Sequence, residues 1–148
     1  MSNTNDARCT IYTDGGARGN PGPAAAAGVI LAHDGTLVEE ITEFLGVTTN
    51  NVAEYRALAL TLRRVLELGY LKVAVKLDSE LVVKQLNGLY RVKDQKMAAL
   101  HADVRRLLAR FDERSVEHVR RHDNKHADKL VNAVLDAQAA SERERTVL

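Results

Sequence analysis

The run Thr13-Asp14-Gly15-Gly16-Ala17-Arg18-Gly19-Asn20-Pro21-Gly22-Pro23 constrains this chain more than any other stretch. A β-prone segment, Cys9-Thr10-Ile11-Tyr12-Thr13, precedes it, and an apolar run from Ala24 to Ala32 follows. Asp14 is therefore expected where a buried strand ends and an irregular, glycine-rich loop begins. A carboxylate so placed is displayed at the margin of the core, and glycine beside it lets a ligand or another backbone come close. The plain alternative is an Asp-Gly turn joining two strands, since both residues form turns for local reasons. No Gly-Lys-Ser/Thr follows, which excludes a mononucleotide P-loop.

The rest of the chain reads as alternating strands and helices. Strand one is predicted from about Arg8 to Asp14 and strand two from Ala24 to Ala32, with His33-Asp34-Gly35 as a hairpin turn into strand three, about Thr36 to Val47. Strand three mixes Leu37, Ile41 and Leu45 with Glu39 and Glu43, which suits an edge strand facing water. From Asn51 to Leu68 the apolar residues Leu58, Leu62, Val65 and Leu66 recur at helical spacing, and Gly69 is placed to end the helix. Strand four is expected over Leu71–Leu77 and a short helix from Asp78-Ser79 to Leu86. A polar, basic linker with Arg91, Lys93 and Lys96 follows. A longer helix then runs from Lys96 to Phe111, strand five from Ser115 to Arg120, and a last helix from Asn124 to Ala140.

The order βββαβααβα implies an α/β fold. Strands one to three form an antiparallel meander, and strands four and five join parallel through right-handed crossovers. The expectation is a five-stranded mixed sheet with helices on both faces, in one domain over residues 8–140. Residues 1–7 are expected to be disordered, and the charged tail 141–148 to fray.

The 148 residues suit one domain, and 45% apolar with 28% charged residues is ordinary for a soluble globular protein. No apolar run is long enough to span a bilayer, and Met1 to Asp6 has no signal-peptide character. The lone cysteine, Cys9, falls in a predicted strand, where a buried thiol is expected rather than a nucleophile. Together these point to the cytoplasm. A net charge of +1 neither supports nor excludes a nucleic-acid partner, because local clusters matter more than the total.

Four acidic residues carry the functional reading. Asp14 and Asp78 end strands that should lie side by side, so their carboxylates meet at one sheet edge, where ligands of open α/β sheets gather. Glu54 sits four residues before Leu58 on the inward stripe of its helix, an unusual place for a glutamate. Asp128 borders the inward face of the last helix. Each has an ordinary alternative. Asp78 could cap the short helix, Glu54 could complete a capping box with Asn51, and Asp128 could answer the positive end of its helix dipole. Several carboxylates in one small site raise one another's pKa values unless a cation joins them. All-oxygen ligands favour Mg²⁺ or Mn²⁺ over zinc.

Taken with their neighbours, these residues resemble type 1 ribonuclease H. The matching stretches are Thr13-Asp14-Gly15-Gly16 with Gly19-Asn20-Pro21-Gly22-Pro23, Thr48-Thr49-Asn50-Asn51-Val52-Ala53-Glu54, Asp78-Ser79, and Asn124-Lys125-His126-Ala127-Asp128. They come in the family's order and cover about residues 8–140. The resemblance implies an endonuclease that cuts the RNA strand of an RNA/DNA hybrid with two Mg²⁺ or Mn²⁺ ions, leaving a 5′-phosphate and a 3′-hydroxyl. It implies Asp14, Glu54, Asp78 and Asp128 as metal ligands, and Gly15, Gly16, Asn20, Thr49, Asn50 and Asn51 against the nucleic acid. Asn50 and Asn51 could equally be helix caps. His122 falls where the family often has a mobile histidine that aids catalysis.

Two features set the chain apart from the longer bacterial form. It has no tryptophan, and only Asn87 to Lys96 stands where that form inserts a basic protrusion, so it resembles the shorter type found in archaea and some bacteria. Fewer phosphate contacts imply weaker and less salt-sensitive binding. Glu80 stands where the longer form commonly has glutamine. Some shorter relatives also cut RNA/RNA duplexes, so such duplexes are a further expected partner. Nothing in the chain demands more than a monomer. A non-catalytic binding module of the same fold would have no use for four acids facing phosphates. An integrase-like enzyme would need a DNA-binding extension for which 148 residues leave no room.

Overall fold

A computed structural model describes residues 8–147, and the N-terminal segment expected to be disordered lies outside them. The elements are β1 (Arg8–Ala17), β2 (Gly22–Ala32), β3 (Leu37–Thr48), α1 (Asn50–Glu67), β4 (Lys72–Leu77), α2 (Glu80–Leu86), α3 (Gln95–Leu108), β5 (Glu113–His118), a 3₁₀ turn over Arg121–Asn124, and α4 (Lys125–Val147). The sheet order is β3-β2-β1-β4-β5. β1, β2 and β3 pair antiparallel, whereas β4 lies parallel to both β1 and β5. β3 is an edge strand, as its acidic pattern implies. The expected α/β architecture is present, with α1–α3 on one face of the sheet and α4 on the other.

The main core lies under α1. Leu58, Leu62 and Val65 pack with Ile11, Ile30, Val75 and Leu77, all fully buried. Each such side chain stabilises the fold by roughly 1.5–3 kcal/mol relative to exposure. β2 is built from small residues on this side so that α1 can come close. A Cβ on Gly28 would lie 1.9 Å from the hydroxyl oxygen of Thr61, which is turned inward to donate to the Ala57 carbonyl at 2.8 Å. On the opposite face Ala25 and Ala27 receive Val131 and Leu135 of α4. Cys9 is buried, and desolvation pushes its thiol up to about 12, which suits a packing role.

Several boundaries differ from the sequence expectation: α3 ends at Leu108 rather than Phe111, β5 is Glu113–His118 rather than Ser115–Arg120, and three further differences bear on the site or the ends of helices. β1 does not end at Asp14. It continues through Gly15, Gly16 and Ala17, which pair with Ala26, Ala25 and Ala24. The cap of α1 is Thr49, whose hydroxyl accepts from the Val52 amide at 3.3 Å, so Asn51 and Glu54 form no capping box. α4 runs on to Val147 instead of ending near Ala140. Its last turns are held by local bonds such as Gln138 to Glu142 at 3.2 Å and Thr146 to the Glu142 carbonyl at 3.0 Å. Among the described residues, no helix is long and apolar enough to cross a membrane.

Candidate active site

Register brings the first two acids together. The parallel pairing of β1 and β4 ends at Thr13 opposite Leu77, so Asp14 and Asp78 follow side by side. Ser79, not Asp78, caps α2, its hydroxyl accepting from the Val82 amide at 3.3 Å. The Asp78 carboxylate is therefore free of that duty.

Glu54 is delivered by close packing of α1 on β1. A Cβ on Gly15 would lie 2.2 Å from both the carbonyl carbon and oxygen of Ala53, so only glycine permits this approach. The bare Gly15 amide then donates to the Glu54 carboxylate. Asp14, Glu54 and Asp78 each present an oxygen within 4.8 Å of the other two. Asp14 and Glu54 are only 7% and 8% exposed. Asp128, from the first turns of α4, lies outside that tight triplet but lines the same cavity and hydrogen-bonds Asp14.

The electrostatics follow from the crowding. Burial, then the charges of Asp78 and Asp128, push Asp14 up to about 7 from 3.8. Burial, then Asp14 and Asp78, hold Glu54 well above the usual carboxylate range. Burial also raises Asp78, opposed by the Arg121 guanidinium and by a hydrogen bond from Asn124. Without a cation to offset this crowding, Asp14 and Glu54 both favour their protonated forms more than an exposed carboxyl does.

The donor set fits a divalent ion. Oε2 of Glu54 is buried with no hydrogen-bond partner, and it belongs to a cluster of carboxylate oxygens with no nitrogen or sulfur ligand. Hard cations such as Mg²⁺ and Mn²⁺ take such oxygens.

The surrounding cavity, of about 480 Å³, is lined by Gly15, Gly16, Asn50, Asn51 and Arg121 as well as the four acids. Thr49 and Asn20 stand behind it. The Asn20 side chain accepts from the Asn50 amide at 3.0 Å, and the Asn50 side chain accepts from the Ala17 amide at 2.8 Å. These bonds tie the β1–β2 turn to the start of α1.

His122 is exposed on the 3₁₀ turn and is not among the cavity-lining residues. Its neighbour Arg121 is, with its guanidinium 4.0 Å from Asp128. Successive residues of a 3₁₀ turn point about 120° apart, so the two cannot face the acids together. Sequence reasoning placed Asn124 only at the start of the last helix and within a matching stretch, and gave it no part in the site. Asn124 is 1% exposed, its amide donates to the Thr13 carbonyl at 2.9 Å, and it braces Asp78. An asparagine four residues before an acid at a helix start was the available signal.

Comparison with known proteins agrees with this geometry. Residues 12–134 match the family model described as reverse transcriptase-like. Ribonuclease HI of Halobacterium salinarum is 41% identical over 129 residues, covering 87% of this chain and 65% of its own. The crystal structure of RNase H1 from that archaeon superposes with a TM-score of 0.86 over 88% of this chain and 98% of that one. The bifunctional protein Rv2228c of Mycobacterium tuberculosis is 40% identical over 90% of this chain, which spans only 37% of that protein. LC11-RNase H1, solved in complex with an RNA/DNA hybrid, is 39% identical with a TM-score of 0.84, covering 88% of this chain and 99% of that one. The chain thus spans between about a third and two thirds of the first two full-length relatives. With the fold, the acid cluster and these likenesses in agreement, the chain belongs to the ribonuclease H family, as a short type 1 domain.

Proposed function

We propose that this chain is a metal-dependent endoribonuclease that hydrolyses the RNA strand of an RNA/DNA hybrid. The observation that carries the proposal is the convergence of Asp14, Glu54 and Asp78 within 4.8 Å in a polar cavity open to solvent. Membership of the family, and the hybrid bound by LC11-RNase H1, support the choice of substrate.

In this reading Asp14, Glu54, Asp78 and Asp128 hold two Mg²⁺ or Mn²⁺ ions. When bound, the ions supply activation of the attacking water and neutralisation of charge on the leaving 3′ oxygen, so the products carry a 5′-phosphate and a 3′-hydroxyl. The chain's own residues do the rest. Gly15 and Gly16 line the cavity beside Asp14, where the RNA backbone would pass along their main chain. Asn50 and Asn51 line the cavity and offer side chains to phosphate oxygens and groove edges. Asn20 and Thr49 fix the α1 N-terminus that presents them. Glu54 stands on the α1 side, where the ribose 2′-hydroxyl that marks RNA would be felt. Arg121, which lines the cavity, would balance charge on the scissile phosphate, while His122, where the family often has a mobile histidine, lies outside the cavity lining.

The test is cleavage of end-labelled RNA/DNA hybrid, RNA duplex and DNA duplex by purified protein with Mn²⁺. Cutting of the RNA strand of the hybrid, lost with EDTA and in Asp78→Asn, is expected. Cutting that persists in EDTA, or no cutting of hybrid at all, overturns the reading. The RNA-duplex arm decides whether the substrate range extends to double-stranded RNA.

A further inference from the structure

We propose that Arg18 is a positioning residue for Asp128. It reaches from the β1–β2 connection to α4 and holds that helix where Asp128 faces the cavity of Asp14, Glu54 and Asp78. The inference rests on the reading above, which takes Asp128 as a metal ligand.

The chain of contacts is continuous. Arg18 follows β1 directly, and its amide donates to the Pro23 carbonyl at 2.9 Å, which closes the turn into β2 and fixes where its side chain starts. Nη2 of its guanidinium lies 2.7 Å from Oδ1 of Asp136 and donates to Oδ1 of Asn132 at 3.2 Å. The other end of the Asn132 amide, Nδ2, donates to the Asp128 carbonyl at 3.1 Å. These two bonds set the orientation of that amide, since a guanidinium only donates and a carbonyl only accepts. Asp128, Asn132 and Asp136 stand at i, i+4 and i+8, so they form one stripe of α4 about 12 Å long. Arg18 and Asn132 line the carboxylate cavity together with Asp128.

The helix needs such a tie. Asp14 and Asp78 are set by strand register, and Glu54 by the contact of α1 with Gly15. Asp128 has neither support. α4 rests on the sheet through Val131 and Leu135 against Ala25 and Ala27. Alanines give a smooth seat, and without interlocking side chains the slide and rotation of a helix are loosely determined. Polar ties then decide. Asn124 and His126 secure the start of the helix, through the Thr13 carbonyl and Glu40, and Arg18 secures the two turns after Asp128. The plain alternative is a surface ion pair. The Arg18 and Asp136 side chains are 43% and 71% exposed, a setting in which such pairs add little to stability. That alternative accounts for neither the bond to Asn132 nor the bond from Asn132 to the backbone of Asp128.

The two readings differ in sign. A guanidinium beside an acidic cavity repels cations, so its removal by itself tightens Mn²⁺ binding. Loss of a positioning residue weakens binding instead, by the roughly 10- to 100-fold typical of groups that orient metal ligands. The test titrates Mn²⁺ into substrate-free protein at pH 8, with free ion followed by electron paramagnetic resonance. The proteins are wild type, Arg18→Ala, Asn132→Ala, the double variant and the control Arg56→Gln, which breaks an exposed pair with Glu43. Arg18→Ala and Asn132→Ala should each weaken binding about ten-fold or more, and the double variant should lose no more than the worse single, because the two act in series. The control should bind as wild type. In cleavage of the hybrid, the Mn²⁺ needed for half-maximal rate should rise in the same variants, with KM for hybrid at saturating Mn²⁺ unchanged. Should Arg18→Ala fail to fold, Asn132→Ala, at an exposed position on α4, carries the comparison. Tighter or unaltered Mn²⁺ binding, losses that add in the double variant, or a loss confined to KM for hybrid overturns the proposal and leaves the nuclease reading intact. Absence of hybrid cleavage by wild type overturns that reading, while the Mn²⁺ isotherms still judge the role of Arg18.

Discussion

Replacing Asp14 by asparagine should stabilise the metal-free protein while abolishing its activity. Asp14 is pushed up to about 7 from 3.8 because it is buried beside Asp78 and Asp128. Between about pH 4 and pH 7 the folded carboxyl holds a proton that the unfolded chain has released. Stability therefore falls as pH rises through that window, and stays low above it. At about 1.4 kcal/mol per unit, the cost of ionising Asp14 in the folded state has a ceiling of about 4 kcal/mol. Asparagine has nearly the same shape and no charge, so at pH 8 it removes that cost. For a chain of this size the ceiling corresponds to roughly 8–16 °C in Tm. The assay is thermal unfolding in EDTA at pH 8 and pH 4. The variant should melt higher at pH 8, and the two proteins should nearly converge at pH 4, where the folded carboxyl is protonated and ionisation of the unfolded one has only begun to count. Saturating Mn²⁺ should raise the Tm of wild type and narrow the gap, since a ligand that binds only the folded state stabilises it. A variant that melts lower at pH 8, or gains as much at pH 4, would refute the argument that crowding of acids strains this site.

The remaining expectations concern the frame around the acids. Arg121→Gln should lower kcat/KM about 10- to 100-fold, the worth of one charge-assisted hydrogen bond, while His122→Ala should change it little in the same steady-state assay. Asn124→Ala should cost about 1–3 kcal/mol in denaturant unfolding, because it strips a buried carbonyl of its donor, and should weaken Mn²⁺ binding by loosening Asp78. Gly15→Ala forces a methyl to within 2.2 Å of the Ala53 carbonyl. It should cost about 1–3 kcal/mol and part Glu54 from Asp14, visible as lost activity in protein that still folds by circular dichroism.

Much of this site is legible in the sequence because its parts obey short-range rules. Asp14 and Asp78 follow apolar strands, and Glu54 breaks the polarity of an otherwise apolar stripe. What the sequence hides is decided by contacts between distant segments. Gly15 and Gly16 look like the start of a loop, yet they are strand residues, and the missing side chain of Gly15 admits α1. Thr49, Asn50 and Asn51 can all cap a helix. The choice falls to Thr49 because the Asn20 side chain takes the Asn50 amide and Asn50 is drawn to Ala17. Arg121 and His122 are adjacent in sequence, and only the pitch of a 3₁₀ turn decides which of them meets the acids. The length of α4 was obscured by a polar tail that reads as solvent-loving, although its Glu and Arg residues are good helix formers.

The central claim is that separate elements deliver carboxylates to one cation. The most direct measurement is the anomalous difference map of a crystal grown with Mn²⁺. The account expects a peak about 2.1 Å from carboxylate oxygens of Asp14, Glu54 and Asp78, the coordination distance of a small hard cation. A map at full Mn²⁺ occupancy elsewhere, with no density among those three side chains, would contradict it.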